Sequence, residues 1–136
     1  MERNQIGFLA EGSNSYVAYN SGDTLAYNSA TSNGQYNNGG HYDTSTYKFT
    51  CPVAGLYFFY ASFYANAVVS AGIRLQHDDS NDVALDNHRN YDADTRGKQV
   101  SAVLKCSVGD KVYVMPEGNV SAYLGTYARF CGYFIG

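Results

Sequence analysis

The chain has 136 residues, the size of a single domain, and is long enough to bury about two-thirds of the surface its unfolded form exposes. Hydrophobic residues make up 45% and charged residues 15%, which excludes a disordered acidic or basic tail; a net charge of −3 removes the basic footprint of a nucleic-acid binder. No window approaches the roughly 18 consecutive apolar residues of a membrane-spanning helix, and the 14 glycines follow no Gly-X-Y repeat, so membrane insertion and a collagen stretch are excluded as well.

Along the chain, short β-forming runs alternate with Gly/Asn/Asp/Ser clusters. Strands are predicted near Gln5–Ala10, Tyr16–Ala18, Thr24–Tyr27, Thr46–Thr50, Gly55–Asn66, Val69–His77, Val83–Asn87, Lys98–Leu104, Lys111–Met115 and Arg129–Ile135. The predicted turns are Glu11-Gly12-Ser13-Asn14, Asn37-Asn38-Gly39-Gly40, Asp78-Asp79-Ser80-Asn81, Val108-Gly109-Asp110 and Pro116-Glu117-Gly118-Asn119, rich in residues that reach positive φ at little cost. No segment sustains a 3.6-residue apolar period. Ten short strands in one domain spanning 1–136 indicate an all-β jelly roll or Greek-key sandwich.

The aromatic content is unusual: Tyr 14, Phe 7 and no Trp. Two strands are apolar on both faces, Gly55-Leu56-Tyr57-Phe58-Phe59-Tyr60-Ala61-Ser62-Phe63-Tyr64 and Phe130-Cys131-Gly132-Tyr133-Phe134-Ile135. One face lines the chain's own core. The other needs a second cover, which points to a homo-oligomer.

The N-terminal stretch MERNQIGFLAEGSNSYVAYN has no basic segment followed by an apolar run, so no secretory leader is read in this chain. The cysteines, Cys51, Cys106 and Cys131, are odd in number and match no zinc spacing; they are read as buried thiols, or as one disulfide plus a free thiol. Asn119-Val120-Ser121 is a glycosylation sequon.

Asn37, Tyr42, Phe49, Gly55, Tyr57 and Phe59 fall at the spacings of the signature of the globular C1q domain. The stretch His41-Tyr42-Asp43-Thr44-Ser45-Thr46-Tyr47-Lys48-Phe49-Thr50-Cys51-Pro52 is close to that family's wording before the signature glycine. Val108-Gly109-Asp110-Lys111-Val112-Tyr113-Val114 and Phe130-Cys131-Gly132-Tyr133-Phe134-Ile135 look like its last two strands. Thr31 stands where the signature has its leading Phe and Ala61 where it closes on an aromatic. Tyr27 can serve as the first aromatic if segment 28–40 carries an insertion of about four residues. The chain therefore resembles a C1q head of the C1q/TNF-like superfamily over nearly its whole length. The resemblance implies a ten-stranded jelly-roll β-sandwich assembling as a homotrimer, here without a collagen stalk, and secreted into the extracellular space. Stand-alone heads of this kind in invertebrates look like soluble pattern-recognition lectins.

Residues 78–94 hold half of the chain's 12 acidic residues. Oxygen donors at this density suit calcium, and Asp86, Asp92 and Asp94 lie roughly where family members bind it; no EF-hand spacing is present. A sugar site needs polar groups for hydroxyls and an aromatic face for the ring, types that Arg89, Asn90, Tyr91, Asn119 and Tyr123 supply. The three histidines, His41, His77 and His88, join no nucleophile elbow or triad pattern, so no enzyme is expected. The expected function is a secreted, non-catalytic pattern-recognition protein of innate immunity, binding carbohydrate or microbial surface polysaccharide multivalently. The alternatives are a trimeric signalling or scaffolding ligand for a protein receptor and a calcium-binding matrix protein.

Overall fold

Alternating burial along one long strand organises the molecule. A computed structural model describes residues 5–32, 34–66, 71–78, 81–86 and 97–136, with 81–86 described through the backbone alone. Its strands are β1 (Gly7–Ala10), β2 (Tyr16–Tyr19), β3 (Tyr36–Asn38), β4 (Tyr42–Asp43), β5 (Lys48–Thr50), β6 (Gly55–Ala65), β7 (Gly72–His77), β8 (Asn81–Asp86), β9 (Gly97–Cys106), β10 (Lys111–Glu117), β11 (Val120–Tyr123) and β12 (Phe130–Phe134). In β6 the residues Tyr57, Phe59, Ala61, Phe63 and Ala65 are buried, and the residues between them face outward. This is the period-2 pattern of a strand with one face in a core.

Two antiparallel sheets pack face to face. In the larger sheet, one edge of β6 pairs with β9 along almost its whole length. The other edge is shared: β12, β1 and β3 continue the sheet from the first half of β6, and β11 and β2 from its far end. The smaller sheet runs β4-β5-β10-β7-β8. This is the jelly-roll sandwich of the C1q/TNF type that the sequence leads one to expect.

The core between the sheets is an aromatic stack. Phe8 from the larger sheet lies parallel to Tyr42 of the smaller one, with centroids 4.7 Å apart, and is 4.9 Å from Phe49 and 4.8 Å from Phe130. The buried phenols have backbone partners: Tyr27 donates to the Ser62 carbonyl at 2.7 Å, Tyr42 to the Tyr27 carbonyl at 2.7 Å and Tyr57 to the Val53 carbonyl at 2.6 Å. Burial pushes the phenol of Tyr57 up to about 12, that of Tyr42 higher still and that of Tyr27 well above its ordinary value, so all three remain donors at neutral pH. Asn37 closes the β3–β4 turn from both sides, giving its amide to the Tyr42 carbonyl and accepting from the Tyr42 N–H. That is a physical reason for an Asn at this point of the signature.

Several sequence expectations shift. Thr24–Tyr27 forms no ladder; Leu25 and Tyr27 are fully buried and the segment is held by the bond from the Leu25 N–H to the Val114 carbonyl at 2.8 Å. Burial, not pairing, produced its alternation. Asn37 and Asn38, read as turn, belong to β3, and the turn falls on Gly39 and Gly40. Pro116 and Glu117 extend β10, leaving Gly118, at φ 103°, to make the turn into β11. The segment after that turn, where no strand is predicted, carries β11. With β3, β4 and β11 added and Thr24–Tyr27 removed, twelve segments carry ladders among the described residues. Tyr27 sits in the core beside Phe130 while Thr31 is exposed, so Tyr27 takes the place of the signature's leading aromatic.

Candidate functional site

At the far end of β6, register places three tyrosines in one row. Tyr123 of β11 pairs with Tyr16 of β2 on one side and with Tyr64 of β6 on the other. Directly opposed residues share a face, so all three rings stand on the outer side of the larger sheet. Tyr127, from the β11–β12 connection, leans over the row with its ring 6.2 Å from that of Tyr123, and the Tyr16 ring is 5.7 Å from it on the other side. Together they line a cavity of about 570 Å³. Tyr127 is 81% exposed and Tyr16 46%, so the rings present large faces that no described residue covers.

Asn14 braces this cup from below. Its Oδ1 accepts from the Tyr123 hydroxyl at 2.9 Å, the Thr126 N–H at 3.0 Å and the Thr126 hydroxyl at 3.2 Å, tying the loop before β2 to the loop after β11. The brace leaves no room behind it, because a Cβ on Gly125 would fall on that same Oδ1. The lining among the described residues is phenol and ring alone, without a charged side chain. Such a surface stacks on apolar faces and hydrogen-bonds through its rim, which suits a neutral, hydroxyl-rich ring.

A second feature of the same outer face lies nearer the other end of β6. Leu56 and Phe58 of β6, Val103 of β9 and Tyr133 of β12 are neighbours in register, with Val103 56% and Tyr133 50% exposed. The Phe58 and Tyr133 rings touch at 5.4 Å. The excess apolar faces expected of the two aromatic strands are therefore present and adjoin one another.

Of the residues expected to bind ligand, Tyr123 lines the cup. Asn119 is exposed in the β10–β11 turn, where its Oδ1 accepts from the Ser21 N–H at 2.9 Å, at the opposite end of β11 from Tyr123. Arg89, Asn90 and Tyr91 lie outside the described residues, as do Asp92 and Asp94; Asp86 ends β8, and its side chain is likewise outside the description. Tyr16, Tyr64 and Tyr127 were not singled out from the sequence. Their shared row depends on the β2–β11–β6 register, and β11 itself reads as a loop.

The family model of the C1q domain matches residues 7–135. Among solved structures, Eiger TNF from S. frugiperda superposes with a TM-score of 0.68 at 10% identity, covering 96% of this chain and 92% of that one. The globular domain of zebrafish complement 1qA gives 0.60 at 21% identity, covering 96% and 98%. Rabbit GITRL gives 0.51 at 9% identity over 67% and 73%. At these identities the structural likeness establishes the fold.

Proposed function

The chain belongs to the C1q domain family, and on that premise we propose that it is a secreted, non-catalytic pattern-recognition protein of innate immunity. It acts as a homotrimer that binds carbohydrate on repetitive surfaces, microbial polysaccharide above all, through the tyrosine cup. The family includes pattern-recognition proteins and signalling ligands and is typically extracellular. Among the described residues, no helix is long and apolar enough to cross a membrane.

The observation that carries the reading is the cup itself, with four tyrosines around one open cavity at the end of β6. A pyranose stacks its C–H face on a phenol ring and offers its hydroxyls to the phenol oxygens, so one side-chain type meets both halves of a sugar's chemistry. The apolar field of Leu56, Phe58, Val103 and Tyr133 supplies the surface on which copies associate. Three weak sites on one rigid body gain avidity on a repetitive ligand, by about 10²–10⁴-fold, without new contacts. The reading also assigns calcium to Asp86, Asp92 and Asp94, and further ligand contacts to Arg89, Asn90, Tyr91 and Asn119, on the chemistry of those side chains alone.

The test is an array of glycans and bacterial polysaccharides probed with the size-checked protein, in calcium and again in EDTA. Hits abolished by Tyr123→Ala support the reading, and their loss in EDTA supports the calcium assignment. An empty array in both conditions overturns the sugar reading and favours a protein receptor.

A further inference from the structure

Cys51 and Cys106 meet where the two sheets come together at the end of the sandwich nearest the C-terminus. Cys51 follows directly on β5 of the smaller sheet, and Cys106 is the last residue of β9 in the larger one, paired with Gly55 at the start of β6. Both are buried in the same core cluster, where each thiol shifts the ionisation of the other. The backbone fixes this meeting. The Cys51 N–H donates to the Asp110 carbonyl at 2.8 Å, and the Gly109 N–H returns a bond to the Cys51 carbonyl at 2.8 Å. Cys51 is thereby tied to the tight turn that follows Cys106, a turn closed by the bond from the Ser107 N–H to Asp110 Oδ2 at 2.8 Å.

The surroundings are those of a reactive pair. His77 Nε2 lies 2.7 Å from Asp110 Oδ2, and the polar atoms of His77, Cys106 and Asp110 all fall within 4.8 Å of one another. The hydrogen bond from Cys51 and then the charge of His77 hold the Cys106 thiol below its ordinary value, while the same hydrogen bond and burial push Cys51 up. Of the two thiols, Cys106 is the one that ionises first. Cys131 is elsewhere: it sits on β12 between Leu9 of β1 and Tyr60 of β6.

We propose that Cys51 and Cys106 close an intrachain disulfide that staples the two sheets together, leaving Cys131 as the free thiol. The oxidant is a small-molecule disulfide of an oxidising compartment, oxidised glutathione being the simplest. The Cys106 thiolate attacks one glutathione sulfur, forming a mixed disulfide and releasing one glutathione thiolate. Cys51, deprotonated in turn, attacks the Cys106 sulfur and expels the second glutathione. Two protein thiols lose two electrons and two protons, and two molecules of reduced glutathione carry them away. Because both sulfurs are buried in the closed sandwich, the exchange takes place once the turn at 107–110 has brought Cys51, Cys106 and His77 together but before the ends of the sheets seal over them, and the finished bond is shielded from reductants. The oxidising compartment follows from the extracellular reading, but the bond itself is independent of any sugar site.

The full chain, reduced and unfolded, is refolded in a glutathione redox buffer, alkylated without reduction, digested and mapped by mass spectrometry. The expected result is one cross-linked peptide pair carrying Cys51 and Cys106, with Cys131 alkylated. All three cysteines alkylated, or a bridge through Cys131, overturns the proposal. So does stoichiometric zinc held by unbridged sulfurs, for which His77, Cys106 and Asp110 offer three clustered ligands. Melting with and without prior reduction gives a second reading on the unmutated chain. The bridged form is expected to melt about 10 °C or more above the reduced one. In the Cys51→Ser/Cys106→Ser double variant reductant is expected to leave Tm unchanged. An unmutated chain that melts at the same temperature whether refolded in the glutathione buffer or kept reduced from the unfolded state counts against the bond.

Discussion

Replacing Val103 by lysine separates assembly from folding. Val103 is 56% exposed in the protomer, opposite Phe58 in the β6–β9 register, with the open face of Leu56 beside it and that of Tyr133 on the far side of Phe58. Fully burying a valine stabilises by about 1.5–3 kcal/mol, so the half that is still exposed has about 1 kcal/mol to contribute in each copy, or about 3 kcal/mol per trimer. Lysine forfeits that and brings an ammonium whose removal from water costs several kcal/mol per ion, three times over around one axis. A combined loss above about 5 kcal/mol corresponds to more than a thousandfold in the association constant. The protomer is scarcely affected, because an exposed strand substitution changes stability by about 0.5 kcal/mol or less. Light scattering after size exclusion is expected to give about 45 kDa for the unmutated protein, three copies of 14.9 kDa. Val103→Lys is expected to run as a monomer with unchanged circular dichroism. A trimeric Val103→Lys, or an unmutated chain that is monomeric at micromolar concentration, refutes the placement of the interface.

Three further outcomes follow from single contacts. Tyr42→Phe keeps the stack on Phe8 but takes the donor from the buried Tyr27 carbonyl, a loss of about 1–3 kcal/mol and a Tm lower by about 4–10 °C; a melt indistinguishable from the parent contradicts the role given to that hydroxyl. Gly125→Ala drives a Cβ onto Asn14 Oδ1 and releases Tyr123 and Thr126, so glycan binding is expected to weaken about tenfold while the melt shifts little. Undiminished binding separates Asn14 from the cup. The Asp110 carboxyl is held below the ordinary carboxylate range by the Ser107 N–H and then by His77, so its folded value lies under its unfolded one. Its contribution is complete above about pH 4 and is lost as pH falls through the folded value. Asp110→Asn is therefore expected to be less stable than the parent at pH 7 and to lose less on acidification, and parallel acid melting curves contradict this.

The sequence carried the sandwich and the doubly apolar strands because burial leaves a period-2 imprint: Tyr57, Phe59, Ala61 and Phe63 alternate in the chain as they do in the core. The same imprint misled at Thr24–Tyr27, where Leu25 and Tyr27 plug the core from a segment that pairs with no strand. It was silent at β3 and β4, two short polar strands set by the side chain of Asn37 rather than by any apolar pattern. The candidate site was half legible. Tyr123 was read as an aromatic platform, but its partners Tyr16 and Tyr64 lie 107 and 59 positions away along the chain and meet it only through ladder register. Register is a property of paired backbones, and a single strand's residues do not encode which Tyr will stand opposite which. The Cys51–Cys106 contact was hidden for the same reason: it joins the ends of strands in different sheets.

The central claim is multivalent sugar binding, and the most direct measurement compares the parent protein with the Val103→Lys monomer on one immobilised polysaccharide by surface plasmon resonance. The account expects the trimer to bind at least about 10²-fold more tightly than the monomer, since both carry the same cup and differ only in valency. Free sugar should compete both off, the trimer at the higher concentration because several of its sites must be filled before it leaves the surface. Equal affinities for trimer and monomer, or binding that free sugar leaves untouched, contradict it.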